Sequence, residues 1–150
     1  MILSKSILQI ALLTSFLFTV NTWETDLEKA KQSAKSEHKL IILNFSGSDW
    51  CGPCIRMHKD IFEGSAFVEY SKDNLVLVNA DFPRLKKNAL TKEQQRKNDQ
   101  LADQYNKEGI FPLTLLLDEN GKVLQRWEGL PHSTSAEFTN QVKSVVDANR

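Results

Sequence analysis

Cysteine is nearly missing from this chain: there are two in 150 residues, Cys51 and Cys54. One pair cannot build a disulfide framework, and with three histidines beside it the chain is poorly equipped for a four-ligand zinc site. Net charge is missing as well. The 19 basic residues balance 19 acidic ones, so there is no electrostatic case for nucleic-acid binding. No repeat or low-complexity tract appears, which sets aside a repeat array. The most apolar stretch, near the N-terminus, is short for a membrane span. What remains is an ordinary composition, 41% apolar and 25% charged, in a chain long enough for one domain with a reasonable core.

Residues 1–22 differ in kind. Lys5 is followed by the largely apolar run Ile7–Val20, about the length of a signal peptide. The expectation is a secretion signal over 1–22 ahead of a domain over 23–150, with an uncleaved N-terminal anchor as the alternative. Asn21-Thr22 fits a cleavage site only loosely, and the run has no cysteine for lipid attachment. Export would place the two thiols outside the cytoplasm, in a periplasm, where disulfides are made and repaired.

The cysteines lie in Trp50-Cys51-Gly52-Pro53-Cys54. If a helix begins at residue 51, a spacing of three sets the sulfurs on one turn, close enough to bond reversibly. Cys51 would sit at the helix N-terminus, where free N–H groups and the dipole favour thiolate. Pro53 fits a first helical turn. A thiol of pKa about 8.5 is roughly 3% ionised at pH 7, and lowering the pKa to about 7 makes it half ionised. Two other readings stay open on spacing alone. A structural disulfide here closes a tiny loop and restrains the unfolded chain little. A copper site could use Cys51, Cys54 and His58.

Trp-Cys-Gly-Pro-Cys resembles the active-site sequence of thioredoxins, and the chain is identified as a member of the thioredoxin-like superfamily over about residues 25–149. An apolar strand pattern before the motif, Gly109-Ile110-Phe111-Pro112 downstream, and a strand, Asn120-Gly121 turn and strand after it support the likeness. The implied fold is α/β: a central mixed β-sheet flanked by helices, with an extra N-terminal helix and an insertion before the third core helix.

The chain itself reads in the same order. Glu24–Glu37 is helical in composition, with Leu27, Ala30 and Ala34 forming an apolar stripe. Lys39–Phe45 is a continuous apolar run, the mark of a strand covered on both faces. Ser46–Asp49 turns into the motif, and the helix after it is interrupted at Gly64-Ser65 before another short one over 66–71. His58 reads as a partly covered helix residue more than a catalytic base. Leu75–Ala80 is a second buried strand, parallel to the first. Residues 82–100 are longer and more charged than a minimal thioredoxin requires, and read as a solvated connection or as a partner-selecting surface. Thr91–Gln94 and Thr134–Glu137 are capping boxes. Leu101, Ala102 and Tyr105 form one inward helix face, and Phe138, Val142, Val145 and Val146 another. Asp118–Gly121 is a hairpin turn between strands at 113–117 and 123–127.

The resemblance implies a thiol-disulfide oxidoreductase. Cys51 is expected as nucleophile and Cys54 as resolving thiol, with Trp50, Gly52 and Pro53 as support. Pro112 is expected in cis, facing the dithiol, leaving the backbone of Phe111 free to pair with an extended substrate. The threonine usual after this proline is Leu113 here, with Thr114 next. A buried aspartate common in the family before the motif has Asn44 as its nearest counterpart, so water or Asp49 is expected as the base that assists Cys54. No cofactor or metal is implied. Expected partners are client proteins with disulfides and a membrane electron donor, the expected state is a monomer, and the expected direction is reducing. A disulfide oxidase or isomerase is the alternative, as is a non-catalytic client-binding or chaperone module.

Overall fold

The computed structural model describes residues 22–149; the expected signal over 1–22 lies outside them save for Thr22. The first helix, α1 (Leu27–Glu37), starts where Asp26 accepts hydrogen bonds from the backbone N–H groups of Glu28 and Lys29. Glu24, expected inside this helix, is extended instead. Its N–H donates to Leu77 and its carbonyl accepts from Asn79, a bridge along the sheet edge that takes those groups out of any helix.

Four strands, β1 (Leu40–Ser46), β2 (Leu75–Asp81), β3 (Leu113–Leu117) and β4 (Val123–Glu128), form one mixed sheet in the order β2-β1-β3-β4. β1 runs parallel to β2 and antiparallel to β3, and β3 and β4 form the hairpin. All seven residues of β1 are buried. Side chains of a strand alternate between faces, so Ile41, Leu43 and Phe45 enter one core while Leu40 and Ile42 enter the other. The first core is closed by Leu27, Ala30 and Ala34 of α1 and by Tyr105 of α4 (Lys92–Tyr105). The second is closed by the π-helical segment Met57–Phe62 that continues α2 (Gly52–Arg56), by α3 (Ser65–Asn74) and by α5 (Ser135–Ala148). This is the mixed sheet between helices that the resemblance implied. Among the described residues no helix is long and apolar enough to cross a membrane.

Local chemistry sets the element ends. Thr134 and Glu137 form the expected capping box reciprocally. The box expected at Thr91 forms on one side only. Thr91 accepts from the Gln94 N–H, but the Gln94 side chain turns away to the carbonyl of Thr25 and to Asn98, satisfying groups that would otherwise be unpaired near the buried Asn98. At the hairpin, one Asp118 carboxylate oxygen accepts from the N–H groups of Asn120 and Lys122, and Gly121 takes the left-handed φ of 86° that the turn requires.

Phe138 on α5 anchors the second core: it is fully buried, with its ring 5.2 Å from Trp127, 6.1 Å from Phe62 and 6.2 Å from Phe67. Aromatic-to-alanine substitutions at such sites cost about 3–5 kcal/mol. Phe138→Ala is therefore expected to lower the stability read from urea unfolding by that amount. A loss under about 1 kcal/mol would show that α5 is not held through this ring.

Candidate active site

β1 ends at Ser46, and the chain turns at once into the motif. The N–H groups of Trp50 and Cys51 both donate to the carbonyl of Gly47, which winds residues 47–51 tightly. The indole of Trp50 lies on Gly47 so closely that any Cβ there would strike the ring, so this glycine is a packing requirement. Cys51 is the residue capping α2, and its sulfur accepts a hydrogen bond from the Cys54 N–H at 3.2 Å. The two cysteines are joined by a disulfide, with Cα atoms 5.2 Å apart. Cys51 retains 5% exposure and Cys54 none. Gly52 and Pro53 lie on the exposed side of the turn, and Gly52 has open space where a Cβ would be.

The peptide bond between Phe111 and Pro112 is cis, as the resemblance implied. Phe111 reaches the motif through its ring, 5.5 Å from that of Trp50 and 5.5 Å from that of Phe82. Trp50 is fixed further by an Nε1–H bond to the carbonyl of Phe82 at 2.7 Å and by the guanidinium of Arg84, 3.6 Å above its ring. Trp50, Phe82 and Phe111 thus line a groove with Arg84 and Gln95 at its rim.

Under the motif lies a polar network inside the second core. Asn44 is completely buried. Its amide oxygen accepts from the Thr114 hydroxyl at 3.1 Å, and its amide nitrogen donates to Asn79 at 3.1 Å and faces His58 Nε2 at 3.4 Å. Thr114, one place later than the family's threonine, therefore serves Asn44. His58 is half-buried against Trp23 and Phe62, and burial holds its pKa below the usual 6.5 despite a hydrogen bond with Asn79 and the charges of Glu63 and Asp81. In this disulfide form neither cysteine offers a thiolate to a metal, and His58 Nε2 faces the Asn44 amide nitrogen.

The structure corrects the expectation for Asp49. Its carboxylate accepts from the backbone N–H groups of Arg84 and Leu85 and from the Asn88 side chain, and these bonds hold its pKa below the ordinary carboxylate value. A carboxylate so stabilised in its charged form is a weak base. Asp49 is the clasp that ties the 82–88 loop to the motif. Sequence reasoning missed this loop's contact with Trp50 and missed Asn79. A signal for the latter existed, because Asn79 is the one polar residue within the run Leu75–Ala80 and pairs in register with Asn44.

The sequence profile of the thioredoxin-like domain matches residues 27–145. The chain is 39% identical over 124 residues to the disulfide bond reductase DsbH of Chlamydia pneumoniae, covering 83% of this chain and 72% of that one. A solved structure of a DsbH oxidoreductase superposes with a TM-score of 0.77 at 34% identity, covering 95% of each chain. A thioredoxin from Thermus thermophilus shares the fold at 14% identity, with a TM-score of 0.61 over 84% of this chain and 88% of that one.

His58 supplies a pH test. Its folded pKa lies below the unfolded value of 6.5, so between the two the unfolded chain binds the proton more readily. Its contribution to stability is complete above pH about 6.5 and is lost as pH falls through the folded pKa. The depressed carboxylates Asp26, Asp49 and Glu137 act at lower pH, below their ordinary values of 3.8, 3.8 and 4.5. The melting temperature is expected to decline from pH 7 to pH 5 in the native chain and to stay flatter in His58→Gln. Equal slopes for the two would remove His58 from this role.

Proposed function

The chain belongs to the thioredoxin-like family, and from that premise we propose that it is an exported reductant of disulfides in client proteins. It is a thiol-disulfide oxidoreductase. The observation that carries the site assignment is the Cys51–Cys54 disulfide at the start of α2, with the cis Phe111–Pro112 loop packed on its tryptophan. In the reduced form the Cys51 thiolate attacks a client disulfide. A sulfur–sulfur bond to Cys51 forms as the client's own bond breaks, and one client thiolate leaves. The Cys54 thiolate then attacks Cys51 in the mixed disulfide, re-forming the internal bond and releasing the second client thiolate. Two electrons pass from the pair to the client, and the proton lost by Cys54 goes to water.

Burial supports this division of labour. Cys51 is the more exposed residue and its sulfur receives the Cys54 N–H, a bond that favours its thiolate, whereas Cys54 is fully buried. Phe111 and Pro112 form the edge on which an extended client backbone aligns, and Trp50 shields the pair. The reducing direction is favoured by Gly-Pro between the cysteines and by the name of the similar Chlamydia pneumoniae protein. The apolar run at 7–20 favours work outside the cytoplasm, with a membrane electron donor returning the pair to its thiols.

With insulin and a chemical reductant, the native chain is expected to accelerate precipitation of reduced insulin, and Cys51→Ser to abolish that acceleration. Cys54→Ser is expected to accumulate a mixed disulfide with the client, seen on non-reducing gels. Activity retained in Cys51→Ser would exclude the scheme. A potential well above that of protein disulfide isomerase, about −180 mV, would reverse the direction.

A further inference from the structure

The loop joining β2 to α4 carries Arg84, Lys86 and Lys87, and Lys92 opens α4, with no acidic residue from Phe82 to Lys92, in a chain whose net charge is zero. All four cations are exposed. Among the described residues none of them forms a salt bridge, whereas Lys31, Lys39, Lys97, Arg126 and Lys143 each pair with a carboxylate. The two acids that contact the loop are held by hydrogen bonds, and Glu93, which follows it on α4, pairs with Lys97. Asp49 accepts from loop N–H groups, and Asp81 accepts from Ser48 and from the Phe82 N–H.

The loop is also held in place. The three bonds to Asp49 and the short 3-10 turn over Lys86–Asn88 fix its course, and Arg84 is seated on Trp50, next to Cys51. Leu85 is 48% exposed between the cations, so the rim offers an apolar contact as well. Positive charge therefore stands on a fixed loop that contributes Arg84 to the rim of the aromatic groove.

We propose that this basic rim selects clients, receiving an extended segment with aspartate or glutamate beside its disulfide. The carboxylates meet Arg84, Lys86 and Lys87, and a neighbouring apolar side chain enters the groove of Trp50, Phe82 and Phe111. The inference rests on the reductase reading and adds substrate class to it. Complementary charge of this kind raises encounter rate and discriminates against like charge.

The test uses three peptides of equal length, each closing one disulfide, flanked by Asp and Glu, by Ser, or by Lys. The full chain, first reduced with dithiothreitol and freed of it, is mixed with each, and single-turnover rates are read at low and at high salt. Uncharged 2-hydroxyethyl disulfide reports on the chemistry alone. The acidic peptide is expected to react about three- to tenfold faster than the lysine peptide. The ratio should shrink at high salt and invert in the Lys86→Glu/Lys87→Glu double variant. Because Arg84 is stacked on Trp50, the lysine pair is the cleaner probe. Equal rates for the three peptides, with 2-hydroxyethyl disulfide still reduced, would overturn the inference and leave the reductase reading standing. A chain that reduces none of the four would remove the reading beneath it. A salt-sensitive dimer in sedimentation, with no peptide preference, would assign the surface to a second copy and overturn the inference.

Discussion

The structure depends on β1 being buried on both faces. A strand with cores above and below it cannot slide by one residue without turning Ile41, Leu43 and Phe45 into the wrong layer. That constraint sets where Ser46 ends and so where Cys51 begins. The helix that carries Cys54, Met57 and Ile61 is pinned to the second core by side chains that are themselves buried, so the dithiol inherits its position from the sheet. The turn that leads into Cys51 is short and wound about Gly47, with little slack between it and the scaffold.

Beneath that turn the protein has placed amides where a carboxylate is frequent in its family. Asn44, Asn79 and Thr114 satisfy one another in a region with no water-facing surface at Asn44 or Thr114. Leaving such a group unpaired costs about 1–3 kcal/mol, so the set persists as a unit. A neutral network carries no charge for burial to penalise. His58 belongs to this layer by packing, and its ring closes the space between Trp23 and Phe62.

What could be read from residue order was whatever depends on near neighbours. The apolar run of β1, the pair of cysteines on one turn, the Thr134–Glu137 cap and the Asp118–Gly121 hairpin are each decided within a few positions, and each stands where expected. The misreadings involve partners far apart in the chain. Asp49 looks like a free acid at the rim until the loop 35 residues on closes over it, and Gln94 looks like half of a cap until Thr25, 69 residues away, claims its amide. Glu24 has helical composition, but the edge of β2 offers its backbone two hydrogen bonds. Arg84 carried no local hint of stacking, because the ring it covers is fixed by Phe82 and Gly47.

The immobilisation of Trp50 has a thermodynamic corollary. Floored by glycine, bonded at its nitrogen and roofed by a guanidinium, the indole is already in one pose before anything touches it. Ordering a free side chain at an interface costs about 0.5–1.5 kcal/mol, and this one has little freedom left to lose. A side chain prepared in advance sets almost no ordering cost against whatever contact it makes.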